Sequence, residues 1–340
     1  MQKVLITGSS GFIGGYIVEE LLGKGYRVVG LDNLSKYGPV SRSFDTNPNY
    51  EFINGDARDA SLLIELLDGC DHFIAGAAMV GGIGYFNELP YDLLATNERI
   101  TAASCDAAIE IRRRGGPLRK VTYISSSMVY ETTSRWPSVE GDEAVIPPPK
   151  TIYGFQKLAV EYFAKAAYTQ YNLPYTILRP FNCVGLGEGS SKDLARNLKI
   201  NEAVASSHVV PDLIEKVLSG QRKLHILGDG KQIRHFTFGG DIARAVVMSL
   251  NNDACENETL NISSTESTCI LDLATTIWHK INGDNQQFEF ICDEPYPYDV
   301  EKRIPSVEKA RRLLGFEATA SLDEVLDQVI SWMRQNRESL

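Results

Sequence analysis

Tyr153 and Lys157 stand four residues apart in YGFQK (153–157). On a helix that spacing puts both side chains on one face. Three serines, Ser125, Ser126 and Ser127, follow the apolar stretch KVTYI (120–124). A phenol, an ammonium and a hydroxyl gathered at one sheet edge suit proton exchange with a substrate hydroxyl. A tyrosine that titrates near ~10 is a sluggish base at neutral pH. An ammonium roughly 5 Å away, at an effective dielectric of about 20, favours the phenolate by about 3 kcal/mol. That brings the phenol toward its working range. A YxxxK spacing alone is common by chance, so its weight depends on its surroundings.

The second constellation is near the N-terminus. Gly8, Gly11 and Gly14 lie in TGSSGFIGG (7–15), directly after the apolar run KVLIT (3–7) and before a helical pattern. A tight turn there needs a residue without Cβ. A pyrophosphate needs close backbone approach, and a helix N-terminus offers unpaired N–H groups to an anion. The spacing is GxxGxxG rather than GxGxxG, so the context carries the reading. Asp32 ends the next apolar run, eighteen residues after Gly14. A carboxylate at that point accepts hydrogen bonds from the adenosine ribose and repels a 2′-phosphate, which favours NAD over NADP. Asp56 and Ala57, in GDARD (55–59), fall where such a sheet would meet the adenine.

These residues need a scaffold, and the first half of the chain supplies its pattern. Strand-like runs at 3–7, 26–32, 50–55, 71–75, 120–126 and 174–181 alternate with helical periodicity at 12–24, 59–68, 88–113 and 152–171. Buried apolar strands alternating with helices predict a doubly wound parallel sheet, an α/β fold of Rossmann type. The rest predicts short strands at 224–227, 235–238, 258–262 and 288–292, with helices at 240–250, 268–281 and 321–337. It loses the βαβ rhythm and reads as a smaller mixed α/β lobe. The expected division is a nucleotide domain of 1–182 and 238–264, with a substrate lobe of 183–237 and 265–340.

Composition bounds the class. With 340 residues, 43% hydrophobic and 23% charged, the chain can bury an ordinary globular core. A net charge of −10 without a basic run argues against nucleic acid or an anionic membrane as partner. Six scattered cysteines without CxxC read as reduced thiols of a cytoplasmic protein, and no metal site is expected. Met1 leads almost at once into VLIT, so neither a signal peptide nor a membrane span is expected.

The chain resembles an extended short-chain dehydrogenase/reductase of the NAD-dependent nucleotide-sugar epimerase and dehydratase group, of UDP-glucose 4-epimerase type. TGSSGFIG (7–14), LDNLS (31–35), GDARD (55–59), ISSSMVY (124–130) and YGFQK (153–157) carry the resemblance, with LRPFN (178–182), RHFTFGGDIA (234–243) and KRIPSVEKARRLLGF (302–316). It implies held NAD and a catalytic set of Ser126, Tyr153 and Lys157. It further implies cofactor contacts from Phe12, Ile13, Asn33, Leu34, Ser35, Ala75 and Ala77, with Asn97 and Phe181 beside the nicotinamide. A nucleoside-diphosphate sugar would meet Ser126, Ser127, Asn182, His208 and Val209, with Arg234 and Arg303 on its diphosphate. Relatives pair through two long helices, here about 88–113 and 152–171, which implies a four-helix homodimer.

Departures from the family pattern narrow the reaction. Dehydratases resemble TDEVY where this chain has Ser126, Ser127 and Met128. Decarboxylases tend to carry glutamate at Met128, and GDP-sugar 3,5-epimerase/reductases carry a cysteine there. A 4-epimerase needs no further acid: transient C4 oxidation, rotation of the 4-keto sugar and hydride return complete its cycle. Against that, GGIGYF (81–86) and SSHVVP (206–211) are similar to loops of the GDP-sugar enzymes. His208 is thus open as a ligand contact, a second acid or a helix start. The alternatives are a 4-reductase or dehydrogenase, a C3/C5 or C2 epimerase of a GDP-, CDP- or dTDP-sugar, or a non-catalytic NAD sensor. Sugar choice is expected to depend on the pocket around 79–86, 127–130 and 183–208, and specificity to sit in the loop 183–207 and the proline-rich 131–151.

Overall fold

A computed structural model describes residues 1–81, 88–188, 208–295 and 298–338. Its centre is a seven-stranded sheet in the order β11-β6-β5-β4-β1-β2-β3, and every neighbouring pair is parallel. These strands are β1 (Lys3–Thr7), β2 (Arg27–Asp32), β3 (Tyr50–Asn54), β4 (His72–Ala75), β5 (Lys120–Ile124), β6 (Tyr175–Pro180) and β11 (Glu258–Ile262). The α/β reading of the sequence holds.

Because strand side chains alternate, each strand feeds two cores. Val4, Ile6 and Val28 face the helices Phe12–Gly23 and Gly239–Leu250, where Ile17, Leu21, Ile242 and Val246 close one layer. Leu5, Val29, Phe73, Val121 and Ile177 face the opposite layer. That layer is built by the helices Ala60–Leu67, Pro90–Arg113 and Ile152–Tyr171. β5 and β6 are buried along their whole length, as a continuous apolar run requires, whereas the edge strand β3 is mostly exposed.

The second half builds a third core around Val210, Ile214, Leu224, Ile226, Leu273, Ile277, Trp278, Val325 and Val329. It joins the helices Val209–Leu218, Ile270–Asn282 and Leu322–Glu338 to β8 (Leu224–Leu227), which pairs with β13 (Phe290–Asp293). The strand expected at 235–238 is split. β9 (Ile233–Arg234) pairs antiparallel with β12 (Thr268–Cys269), while β10 (Thr237–Phe238) pairs parallel with β7 (Cys183–Val184). One run of sequence thus crosses between two ladders, which no local period can show.

A helix absent from the sequence reading spans Glu308–Leu314. It is too short and too charged for a periodic signal, and it ends at Gly315 with φ +65°. Its Ala310 and Leu314, with Phe316, pack in the layer of the helices Phe12–Gly23 and Gly239–Leu250. No helix among the described residues is long and apolar enough to cross a membrane.

Candidate active site

The glycine turn is shaped by contact distances. Gly8 sits at φ +79° and its N–H donates to the Leu31 carbonyl at 2.8 Å. A Cβ on Gly14 would lie 1.9 Å from the Gly8 carbonyl oxygen, and one on Gly8 would lie 3.0 Å from the Ala77 backbone. The helix Phe12–Gly23 starts at Gly11 with no side-chain cap and no acid in its first turn. Its N–H groups and the positive end of its dipole therefore face the sheet edge with no carboxylate of the first turn against them. Such a cradle fits a dinucleotide pyrophosphate.

Asp32 closes the turn from the other side. One carboxylate oxygen accepts from Ser10 N–H at 3.0 Å and the other from Leu34 N–H at 2.8 Å. The side chain therefore organises the loop as well as lining the cavity beside Asn33, Leu34 and Ser35. Asp56 and Ala57 line the same end. Asp56 is paired with Arg58 at 2.5 Å, and that hydrogen bond holds its carboxyl below the usual range.

These residues open into one cavity of about 690 Å³ along the carboxyl edge of the sheet. Gly8, Gly11, Phe12, Ile13, Gly14 and Ala77 line the nucleotide end; Ser126, Ser127, Tyr153 and Lys157 line the middle. Asn182, His208, Val209, Arg234 and Arg303 line it as well. Three expected contacts are not among its lining residues. Asn97 is clamped to the Met79 backbone by two hydrogen bonds, 2.7 and 3.0 Å, and Phe181 packs with Tyr130 in a separate small cluster. Ala75 ends β4 and packs against the second core.

Ser126 caps the 3₁₀ turn Ser127–Tyr130, accepting from Met128 N–H at 3.2 Å, and hydrogen-bonds Tyr153. Thr151 caps the helix Ile152–Tyr171, and Glu131 holds Thr151 through its hydroxyl at 2.7 Å. The cap thereby fixes the turn that carries Tyr153. Lys157 donates to the Ile124 carbonyl at 2.9 Å, with its nitrogen 5.9 Å from the centre of the Tyr153 ring.

The electrostatics correct the sequence argument in one respect. Burial pushes the Tyr153 phenol up, and the opposing effects come from Ser126, Lys36 and Arg303 rather than from Lys157. Burial also draws Lys157 down to about 8, against the pull of Glu161. Lys36, together with Tyr37 and Glu188, lines the cavity and was absent from the sequence reading. A lysine four residues past Asp32 carries no local sign that its side chain turns inward.

Arg234 is 8% exposed; it donates to the carbonyls of Ile233 and Glu301 and pairs with Asp299 at 3.4 Å. Arg303 donates to Asn182 at 3.3 Å, and its Nε is buried with no partner. Burial lowers both guanidinium pKa values, Arg234 to about 9, and the charge of Arg303 lowers Arg234 further. A buried guanidinium and a half-buried one, with Asp299 and Glu131 as the neighbouring carboxylates, could hold a further anion. His208 occupies the N-cap position of the helix Val209–Leu218 without a side-chain cap bond, and its Nδ1 meets the carboxyl group of the buried Glu188. Most of GGIGYF and the loop 189–207 lie outside the described residues.

The sequence profile of the NAD-dependent epimerase/dehydratase family matches residues 4–263. The chain belongs to that family. It is 28% identical over 337 residues to a Methanocaldococcus jannaschii protein provisionally named a UDP-glucose 4-epimerase, covering 99% of this chain and 100% of the relative. It is 27% identical to a Bacillus cytotoxicus UDP-N-acetyl-alpha-D-glucosaminuronate decarboxylase, covering 98% of each. The solved UDP-glucuronic acid 4-epimerase of Bacillus cereus, in complex with UDP-glucuronic acid and NAD, superposes with a TM-score of 0.82 at 26% identity. That match covers 98% of this chain and 100% of the other. NAD is the family's cofactor, and the glycine cradle fits it.

Filling the cradle tests that fit. Gly14→Ala forces a methyl group against the Gly8 carbonyl, so the turn must open. The purified variant should carry less than about a tenth of the wild-type bound NAD, a loss of at least ~1.4 kcal/mol, read from nucleotide absorbance after denaturation. Undiminished NAD content would show that the close approach is not needed.

Proposed function

We propose that this protein is a nucleotide-sugar 4-epimerase acting on an NDP-hexose, with UDP as the favoured carrier. The observation that carries the reading is the cavity's division of labour. A hydrogen-bonded Ser126–Tyr153 pair with Lys157 lies in its middle, and the Arg234–Arg303 pair lines the same space. The turn 127–130 contributes Ser127 and Met128 to the wall, neither of them a carboxylic acid that could drive an elimination. The similar 4-epimerases support the same reaction, while the similar decarboxylase keeps the substrate's carboxyl group as the point to test.

In this reading NAD, when bound, accepts and returns the hydride. Tyr153 takes the proton of the C4 hydroxyl and gives it back after the sugar has turned. Ser126 holds the same sugar oxygen through its hydrogen bond with Tyr153. Lys157 secures the tyrosine's helix face and the cofactor ribose, and Arg234 with Arg303 anchors the diphosphate while the sugar moves. The lobe division given above follows from this separation of cofactor and sugar-nucleotide ends. A second reading, C3/C5 epimerisation with His208 as an extra acid, is favoured by the contact of His208 with Glu188 at the cavity wall. Six free cysteines support a reducing, cytoplasmic setting.

Three measurements test these assignments. Tyr153→Phe removes the acid/base oxygen and keeps the ring, so the fold and bound NAD should survive while turnover of UDP-hexose falls by about 10²–10⁴. Lys157→Met should also weaken NAD retention, and Ser126→Ala should cost less than either. A Tyr153→Phe protein that interconverts the sugar at near wild-type rate by NMR sinks the mechanism. Arg234→Ala should weaken UDP binding by about 1.5–3 kcal/mol in calorimetry without lowering NAD content. Wild-type affinity would make Arg234 a structural residue. The third concerns assembly: Tyr91, Phe155 and Tyr162 are exposed on the helices Pro90–Arg113 and Ile152–Tyr171. We read this face as a homodimer surface; sedimentation equilibrium at micromolar concentration should give twice the chain mass, and a monomer refutes the pairing.

A further inference from the structure

One turn beyond Lys157, on the same helix, Glu161 is completely buried and has no part in the reaction outlined above. Its Oε1 accepts from the Ser125 hydroxyl at 2.7 Å and from Arg179 Nε at 2.8 Å, and its Oε2 accepts from Arg179 Nη2 at 2.5 Å. Arg179, on β6, is itself fully buried. Glu143 meets the same guanidinium at 2.9 Å, and Lys165 approaches Glu143 at 3.5 Å and Glu161 at 4.0 Å. The Ser125 hydroxyl also lies 3.4 Å from the carbonyl of Lys157, while the Lys157 ammonium donates to the carbonyl of Ile124, one residue before Ser125.

The carboxylate therefore reaches Lys157 twice: along one helical turn, and through Ser125 to its backbone. A buried ion pair is a poor source of stability, since apolar residues of similar volume often serve as well or better. Its place beside the active lysine calls for another account. We propose that Glu161 is a positioning residue that sets both the place and the charge of Lys157, with Arg179 and the Ser125 hydroxyl holding its carboxylate in place. The proposal rests on reading Lys157 as the active lysine.

The charges around Lys157 agree in sign. Burial lowers the lysine and Glu161 opposes it. Burial acts to raise Glu143, yet its hydrogen bonds and charge contact with Arg179 bring it down to about 2, so it stays a carboxylate. On the cavity side Lys36 and Arg303 act on Tyr153, one helical turn before Lys157. Neutralising Glu161 thus removes the negative charge facing the ammonium and leaves a guanidinium behind it.

The test is a direct titration of Lys157 in the full-length protein. Lysine is labelled with ¹³C at Cε, and the signal is assigned by its loss in Lys157→Met. Glu161→Gln should lower the Lys157 midpoint by about one pH unit, the scale of one nearby buried charge. The double variant Glu161→Gln/Arg179→Met should fall between it and wild type, because the guanidinium, which in the single variant keeps Glu143 but has lost Glu161, is gone. The alkaline loss of turnover should move to lower pH in the same order, since a lysine with a lower midpoint gives up its proton sooner as pH rises. A folded Glu161→Gln protein with an unmoved midpoint overturns the proposal. Should that variant fail to fold, the double variant decides, and a midpoint equal to wild type overturns it equally. Lys157→Met with intact turnover would instead sink the reading of Lys157 as active and leave the titration result standing.

Discussion

In a parallel sheet the crossovers are right-handed, so connections that leave one strand in opposite directions place their helices on opposite faces. Here the chain runs from β1 to β2 on one side and returns past β1 to β4 on the other. The helices Phe12–Gly23 and Ala60–Leu67 accordingly join opposite layers. Among the described residues no sheet connection crosses the carboxyl edge between β1 and β4, and a crevice opens there. The glycine turn, the Ala77 backbone and the ends of β5 and β6 all reach into it, so every candidate group depends on this reversal of strand order.

Desolvation then governs what those groups can do. The cavity middle and its arginine pair hold charges that burial opposes: Lys157 is drawn to about 8 and Arg234 to about 9, while the Tyr153 phenol is pushed up. Each departs from its ordinary value in the direction that binding a partner would reverse. In the proposed reading a diphosphate would restore the balance at the two guanidinium groups, and a proton-transfer partner would do so at the phenol. The Arg179–Glu161–Glu143 cluster is the opposite case, a set of buried charges already satisfied from within. It can therefore hold its place beside Lys157 while ligands come and go.

Local chemistry wrote much of the architecture into the chain. A run of β-branched residues ending in glycine marks β1, a 3.6-residue period marks the helix behind it, and YxxxK places a phenol and an ammonium on one face. These signals need only neighbours within a few residues, and the sheet with its cofactor turn followed from them. Met128 in place of an acid was equally legible, although it bears on the reaction only through the family resemblance.

Only the tertiary structure decided which groups meet. Lys36 turns into the cavity toward Tyr153, Arg179 is buried on two carboxylates from distant segments, and the helix Glu308–Leu314 packs against the layer beside β1. Asn97 is held by the Met79 backbone and Phe181 packs with Tyr130, contacts that no local pattern announces. Burial and the sign of a neighbouring charge are sums over residues far apart in sequence. A chain read in order carries period and spacing, but the field at Tyr153 exists only once β5, the loop after β2 and the segment bearing Arg303 have come together.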